Sequence, residues 1–116
     1  MKYIGSCHCG DIKFEFNSGV IESGLRCNCS ICIRKGAIMT EFTIDKDDVT
    51  IQVKNDALQL YQFATQQVKH HFCKHCGIYT FHQSMVNIGQ LRFNIGCLEN
   101  IDSTKLTFNV YDGASL

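Results

Sequence analysis

Arg26-Cys27-Asn28-Cys29-Ser30-Ile31-Cys32-Ile33-Arg34-Lys35-Gly36 places three cysteines within six residues, with only Ile31 and Ile33 as apolar neighbours. A segment so poor in apolar side chains gives thiols little core to fill. Three thiolates converging on one soft cation explain it better, and zinc is the ordinary choice for such a group. Structural zinc sites take four protein ligands, whereas catalytic ones keep three and leave a position open. Cys27, Cys29 and Cys32 without a fourth local donor therefore point to an enzyme.

The flanking sequence reads as short strands separated by turns. Upstream, residues 2–6 form a strand that leads into Cys7-His8-Cys9-Gly10. In an extended chain residues i and i+2 share a face, so Cys7 and Cys9 reach one metal together. Ile12, Phe14 and Phe16 alternate with polar residues as a half-buried strand does. Asn17-Ser18-Gly19 is a turn, and a weaker strand covers 20–25. Downstream, 37–42 is β-prone and 44–48 is a polar turn. Val49, Ile51 and Val53 form a strand whose partner, across the Asn55-Asp56 turn, is 58–63. Residues 67–72 carry the chain into the knuckle Cys73-Lys74-His75-Cys76-Gly77, where the glycine supplies a positive φ. A strand over 78–81, a loop over 84–90, alternating Leu91, Phe93 and Ile95, and a last strand over 106–111 complete the pattern. One helical turn follows Ser30, its expected N-cap. The expected fold is mainly β, built of folded-over antiparallel sheets.

The whole chain of 116 residues fits one domain, residues 1–116, with 45% hydrophobic and 19% charged residues. Its formal net charge is zero, which supplies no broad basic surface for a nucleic acid or an anionic membrane. Met1-Lys2-Tyr3-Ile4-Gly5-Ser6-Cys7 lacks the apolar region of a secretory signal, and no stretch approaches the roughly 18 apolar residues of a membrane helix. The expected location is therefore cytoplasmic. There eight cysteines bind metal more readily than they form disulfides; a secreted disulfide framework is the alternative.

Seven of the eight cysteines fall into three clusters: C-x-C at 7 and 9, C-x-C-x-x-C at 27, 29 and 32, and C-x-x-C at 73 and 76. The simplest partition assigns Cys7, Cys9, Cys73 and Cys76 to a closed tetrahedral site that staples the fold, and the triplet to an open one. Buried free thiols are the competing explanation. Cys97 and His82 are the candidates for a fourth protein ligand that would close the triplet, although Cys97 follows an apolar strand as a packed thiol would. His8, His70, His71 and His75 read as turn or surface residues. Arg26, Arg34 and Lys35 flank the triplet, where cations would offset the net charge of three thiolates on a divalent metal; a solvated basic loop is the alternative.

Gly5-Ser6-Cys7-His8-Cys9-Gly10, the triplet with Lys35-Gly36-Ala37, and His71-Phe72-Cys73-Lys74-His75-Cys76-Gly77 resemble the glutathione-dependent formaldehyde-activating enzyme family, which includes the centromere protein V group. Asn94-Ile95-Gly96-Cys97-Leu98 and Tyr111-Asp112-Gly113 resemble the tail of its short bacterial members, so the likeness spans nearly the whole chain. The resemblance implies a zinc-stapled, mainly antiparallel β fold of the β-tent kind. It also implies a carbon–sulfur lyase-type activity on formaldehyde with glutathione as the thiol. Two zinc ions per chain follow: a structural one on Cys7, Cys9, Cys73 and Cys76, and a catalytic one on Cys27, Cys29 and Cys32.

An open zinc position suits that chemistry, because it keeps a bound thiol as thiolate at neutral pH, where a free thiol is mostly protonated. Addition of the thiolate to an aldehyde gives a hemithioacetal, and the reverse step cleaves a carbon–sulfur bond. Arg26, Arg34 and Lys35 are the candidates to hold a carboxylate of the thiol. The rival functions are a non-catalytic zinc module that binds a protein and a thiol-based sensor using the triplet.

Overall fold

The alternation of Ile12, Phe14 and Phe16 with Lys13, Glu15 and Asn17 does become a strand, with the three apolar side chains buried. A computed structural model describes residues 1–63, 68–84 and 87–115. Among them the strands are, in chain order, β1 (Lys2–Ser6), β2 (Ile12–Asn17), β3 (Ser23–Cys27), β4 (Met39–Thr40), β5 (Ile44–Asp45), β6 (Val49–Val53), β7 (Leu58–Tyr61), β8 (Lys69–Cys73), β9 (Tyr79–Gln83), β10 (Gln90–Phe93) and β11 (Thr107–Tyr111). The helix α1 (Ser30–Lys35) follows β3. The protein is thus mainly β, with strands arranged in three sheets ordered β1-β2-β6, β5-β10-β9-β8-β7 and β11-β3-β4.

Phe93 joins the first two sheets. Its fully buried ring lies 4.6 Å from that of Phe14, 5.0 Å from Phe16 and 5.4 Å from Phe81. The third sheet is tied on beside it. Ile95 N donates to Ile38 O at 2.9 Å, and Met39 forms an isolated bridge with Asn94. Aromatic burial at one point thus fixes how the sheets fold over one another.

Four expectations need correction. Residues 49–53 and 58–63 are not partners: β6 pairs with β2 over five residues and β7 pairs with β8 over four. Asn55 and Asp56, both at φ 55°, do turn the chain, but they pass it from the first sheet to the second. Ile44 and Asp45 leave the expected turn to pair with β10 as a short strand; only Lys46–Asp48 curls into a 3-10 turn, capped by the Asp45 carboxylate on Asp47 N at 2.9 Å. The last strand is not antiparallel, since β11 runs parallel to β3 with Thr107 opposite Ser23 and Tyr111 opposite Cys27. Finally, Cys29 rather than Ser30 is the N-cap of α1, and its side chain makes no capping bond; its thiol turns toward the cluster instead. The expected loop 84–90 and the approach 67–72 include residues 85, 86 and 67, which lie outside the described residues.

Candidate metal centres

Two knuckles build the four-thiol cluster. In the first, Cys7 N donates to Ile12 O at 3.0 Å and Gly10 N to Cys7 O at 3.3 Å; in the second, Cys73 N donates to Ile78 O at 3.0 Å and Gly77 N to Cys73 O at 2.7 Å. Gly10 and Gly77 take φ 85° and 78°, the left-handed region that a Cβ disfavours. The chain crossing from β6 to β7 stitches the knuckles together: Lys54 N donates to Asp11 O at 2.8 Å, and Lys74 N donates to Ala57 O at 2.8 Å. His75 Nε2 adds a contact to Asn55 O at 2.9 Å, which explains why this histidine faces the turn and not the thiols.

The result is that the Sγ atoms of Cys7, Cys9, Cys73 and Cys76 all lie within 4.8 Å of one another. Cys7 and Cys9 are 3.7 Å apart, and Cys9 and Cys73 are 3.6 Å apart. Tetrahedral zinc with Zn–S of about 2.3 Å sets its sulfurs about 3.8 Å apart, so the donor set and spacing fit that ion. Cys7 and Cys73 are sealed from solvent beside Ile12 and Ala57. Proton sharing among the thiols is uneven. Burial opposes ionisation of Cys76, but hydrogen bonds from Cys9, Ile78, Cys73 and Cys7 bring it down to about 6. Cys9, despite a favourable Asp11 backbone contact, is pushed up to about 12 by desolvation and by its thiol neighbours.

The triplet forms where β3 runs into α1. Cys27 ends the strand, Cys29 caps the helix, and Cys32 follows one turn later, so that all three Sγ atoms lie within 4.8 Å of one another. Ile33 N donates to Cys29 O at 2.9 Å, which fixes that turn. All eight cysteines are free thiols, with no disulfide between any two. Among the described residues no fourth cysteine, histidine or carboxylate joins the triplet. Cys97 instead donates to Tyr79 O at 3.7 Å and is raised to about 12 by burial and by Cys7 and Cys76. His82 Nδ1 is engaged with the Tyr79 hydroxyl at 3.0 Å.

One side of the triplet is covered by the C-terminal turn, a feature not read from the sequence. The parallel pairing of β11 with β3 delivers the chain there. Asn28 N donates to Tyr111 O at 3.2 Å, Asn28 Nδ2 donates to Asp112 Oδ1 at 3.0 Å, and Ala114 N donates to Asn28 Oδ1 at 2.8 Å. Gly113 lies so close that a Cβ on it would stand 2.5 Å from Cys27 Sγ and 3.0 Å from Cys29 Cβ. An asparagine between two thiols and a late Asp-Gly were the available signals.

Another side is walled by Lys35 and Tyr79. Lys35 Nζ is buried without an oxygen or nitrogen partner among the described residues and stands 4.1 Å from the centre of the Tyr79 ring. Burial lowers the Lys35 pKa, while the thiols of Cys32, Cys29 and Cys27 oppose the shift. The Tyr79 hydroxyl sits between His70 Nδ1 at 2.6 Å and His82 Nδ1 at 3.0 Å. One imidazole accepts its proton and the other donates to its oxygen. Burial, with Lys35 next in effect, brings His70 down to about 4 and His82 to about 2, so both rings are neutral at physiological pH. The expectation that His70 is a turn or surface residue fails, because its ring is buried in β8. The other two cations of the triplet face outward: Arg34 Nη1 donates to Ser30 O at 2.7 Å, and Arg26 lies 5.3 Å over the Phe108 ring.

Over residues 2–113 the sequence matches the family described as glutathione-dependent formaldehyde-activating enzyme. The chain belongs to that family. A crystal structure of a Rhodobacter sphaeroides protein, a structural genomics target, is similar to it with a TM-score of 0.78 and 36% identity, over 94% of this chain and 100% of that one. Membership of the formaldehyde-activating family agrees with the likeness carried by the three cysteine clusters. Among the described residues no helix is long and apolar enough to cross a membrane.

Proposed function

We propose that this member of the glutathione-dependent formaldehyde-activating family is a single-domain, cytoplasmic zinc enzyme that makes and breaks the carbon–sulfur bond between a glutathione-like thiol and an aldehyde. The observation that carries the reading is the contrast between the clusters. Four thiols close one of them, while three thiols in the other have no fourth donor among the described residues. Cys7, Cys9, Cys73 and Cys76 would hold a structural zinc, and Cys27, Cys29 and Cys32 a catalytic one. Bound at the triplet, zinc would serve as Lewis acid and template, holding a substrate thiol in its thiolate form at neutral pH.

The chain's own residues shape the rest. Asn28 and the turn at Asp112 and Gly113 hold the triplet loop and shield it from one side. Lys35 places a positive charge beside three sulfurs that are otherwise all negative when ionised. In the forward reaction the thiolate sulfur attacks the carbonyl carbon, forming the C–S bond. The carbonyl π pair moves to oxygen, which takes a proton from solvent to give the hemithioacetal. The reverse removes that proton, restores the carbonyl and expels the thiolate.

Magnetisation-exchange NMR on a mixture of glutathione and formaldehyde measures this interconversion directly. The zinc-loaded protein should accelerate exchange between glutathione and its hydroxymethyl adduct, and Cys29→Ser should return the rate to the uncatalysed value. No acceleration by protein carrying two zinc ions would refute the enzyme reading and leave a protein-binding zinc module in its place.

A further inference from the structure

Three thiolates around a divalent cation leave one net negative charge, and a fourth thiolate makes two. Behind protein walls that second charge is costly unless a cation already stands nearby. Arg34 and Arg26 are engaged at the surface, with a carbonyl and an aromatic ring respectively. Arg92, paired across the strands with His82, donates to the carbonyl oxygens of Thr40 and Glu41. Lys35 differs from all three, because its ammonium is buried, has no oxygen or nitrogen partner among the described residues and interacts with the triplet thiols, Cys32 foremost.

Its position is built rather than incidental. Lys35 lies three residues after Cys32 in α1, a spacing that puts both on one face of a helix. The ammonium rests over the Tyr79 ring at 4.1 Å, a cation–π contact whose strength rises when water is excluded. Tyr79 cannot drift, since its hydroxyl is held from both sides by His70 and His82. Buried donors are nearly always satisfied in folded proteins, so an ammonium that finds no oxygen or nitrogen acceptor among the described residues and is set against the sulfur of Cys32 marks a group kept for an anion.

We propose that Lys35 selects the charge of the triplet's fourth ligand: its ammonium offsets the second negative charge, so that a small thiolate is taken in preference to a neutral donor. The inference rests on the proposed reading of the triplet as a metal site open to a thiol. It makes Lys35 a specificity-determining residue and Tyr79 the positioning residue that holds it.

Cobalt-loaded protein titrated with 2-mercaptoethanol, and separately with imidazole, tests the point through the visible spectrum. Neither probe carries a carboxylate, so a remote salt bridge cannot contribute. Lys35→Met should weaken 2-mercaptoethanol binding about 30-fold, or ~2 kcal/mol, and change imidazole binding by less than about threefold. Lys35→Gln should behave in the same way, which guards against a packing defect peculiar to one variant. Equal losses for both ligands, no loss for either, or failure of the variants to retain cobalt at the triplet would each overturn the proposal. A wild-type spectrum indifferent to 2-mercaptoethanol would refute the open-site reading itself, and this proposal with it. A variant that matches a responsive wild type would refute the role of Lys35 alone.

Discussion

Asn28 Nδ2 donates to Asp112 Oδ1 at 3.0 Å, joining the residue between two triplet thiols to a turn 84 positions later. The bond covers one side of the site only because β11 lies parallel to β3, which brings Tyr111 opposite Cys27. Asn28→Ala removes this bond and the one from Ala114 N, while every strand pairing remains. Metal at the triplet should then be lost about three- to tenfold faster to a chelator, with metal at the four-thiol cluster unaffected. Stopped-flow transfer to a chromogenic chelator distinguishes the two pools, and equal acceleration of both would contradict the clamp.

Gly113 gives a sharper version of the same test. Its Cβ would fall 2.5 Å from Cys27 Sγ, so Gly113→Val must push the tail or the thiol aside, at a cost of about 1–3 kcal/mol for overpacking. Elemental analysis should find the variant folded but short of triplet metal. A variant with wild-type metal content and wild-type chelator kinetics would show that the tail does not constrain Cys27.

Metal content and its order of removal follow from the ligand count. Freshly purified, reduced protein should carry two zinc ions per chain, and the triplet should release its ion first, because three protein ligands hold it instead of four. Protein with no zinc would sink the account of both clusters.

The two clusters should also fail differently when a ligand is removed. Binding at a structural zinc site is worth about 10–16 kcal/mol, comparable with the roughly 5–15 kcal/mol that keeps a domain folded. Cys73→Ser or Cys9→Ser should therefore unfold or insolubilise the protein. Cys29→Ser should give a folded protein with one zinc, as judged by circular dichroism and elemental analysis. Identical, soluble, folded products from both kinds of change would break the division of labour.

The grouping of the thiols was legible in the sequence because ligand spacing within each cluster is local, and the turns that create it carry their own glycines at 10 and 77. Strand identity was legible wherever one face is buried, as in Ile12, Phe14 and Phe16. Strand partnership was not. The Asn55-Asp56 turn looks like a hairpin turn, but the neighbours of β6 and β7 are chosen by β2 and β8, far away in sequence. The parallel β3–β11 pair carries no local signal, so Asn28 and the late Asp112-Gly113, the signals available for the tail over Cys27, could not be joined from the sequence. The choice of Lys35 among three flanking cations likewise depends on where Tyr79 and its two histidines arrive.

In the proposed function the triplet holds a metal with a position open to a small thiol. Cobalt at this site reports the event directly, because an added thiolate strengthens the sulfur-to-metal charge-transfer band. Glutathione should produce that change, S-methylglutathione should not, and Cys27→Ser should abolish it. A spectrum unchanged at millimolar glutathione would mean that the triplet is closed, and the thiol chemistry proposed for it would be wrong.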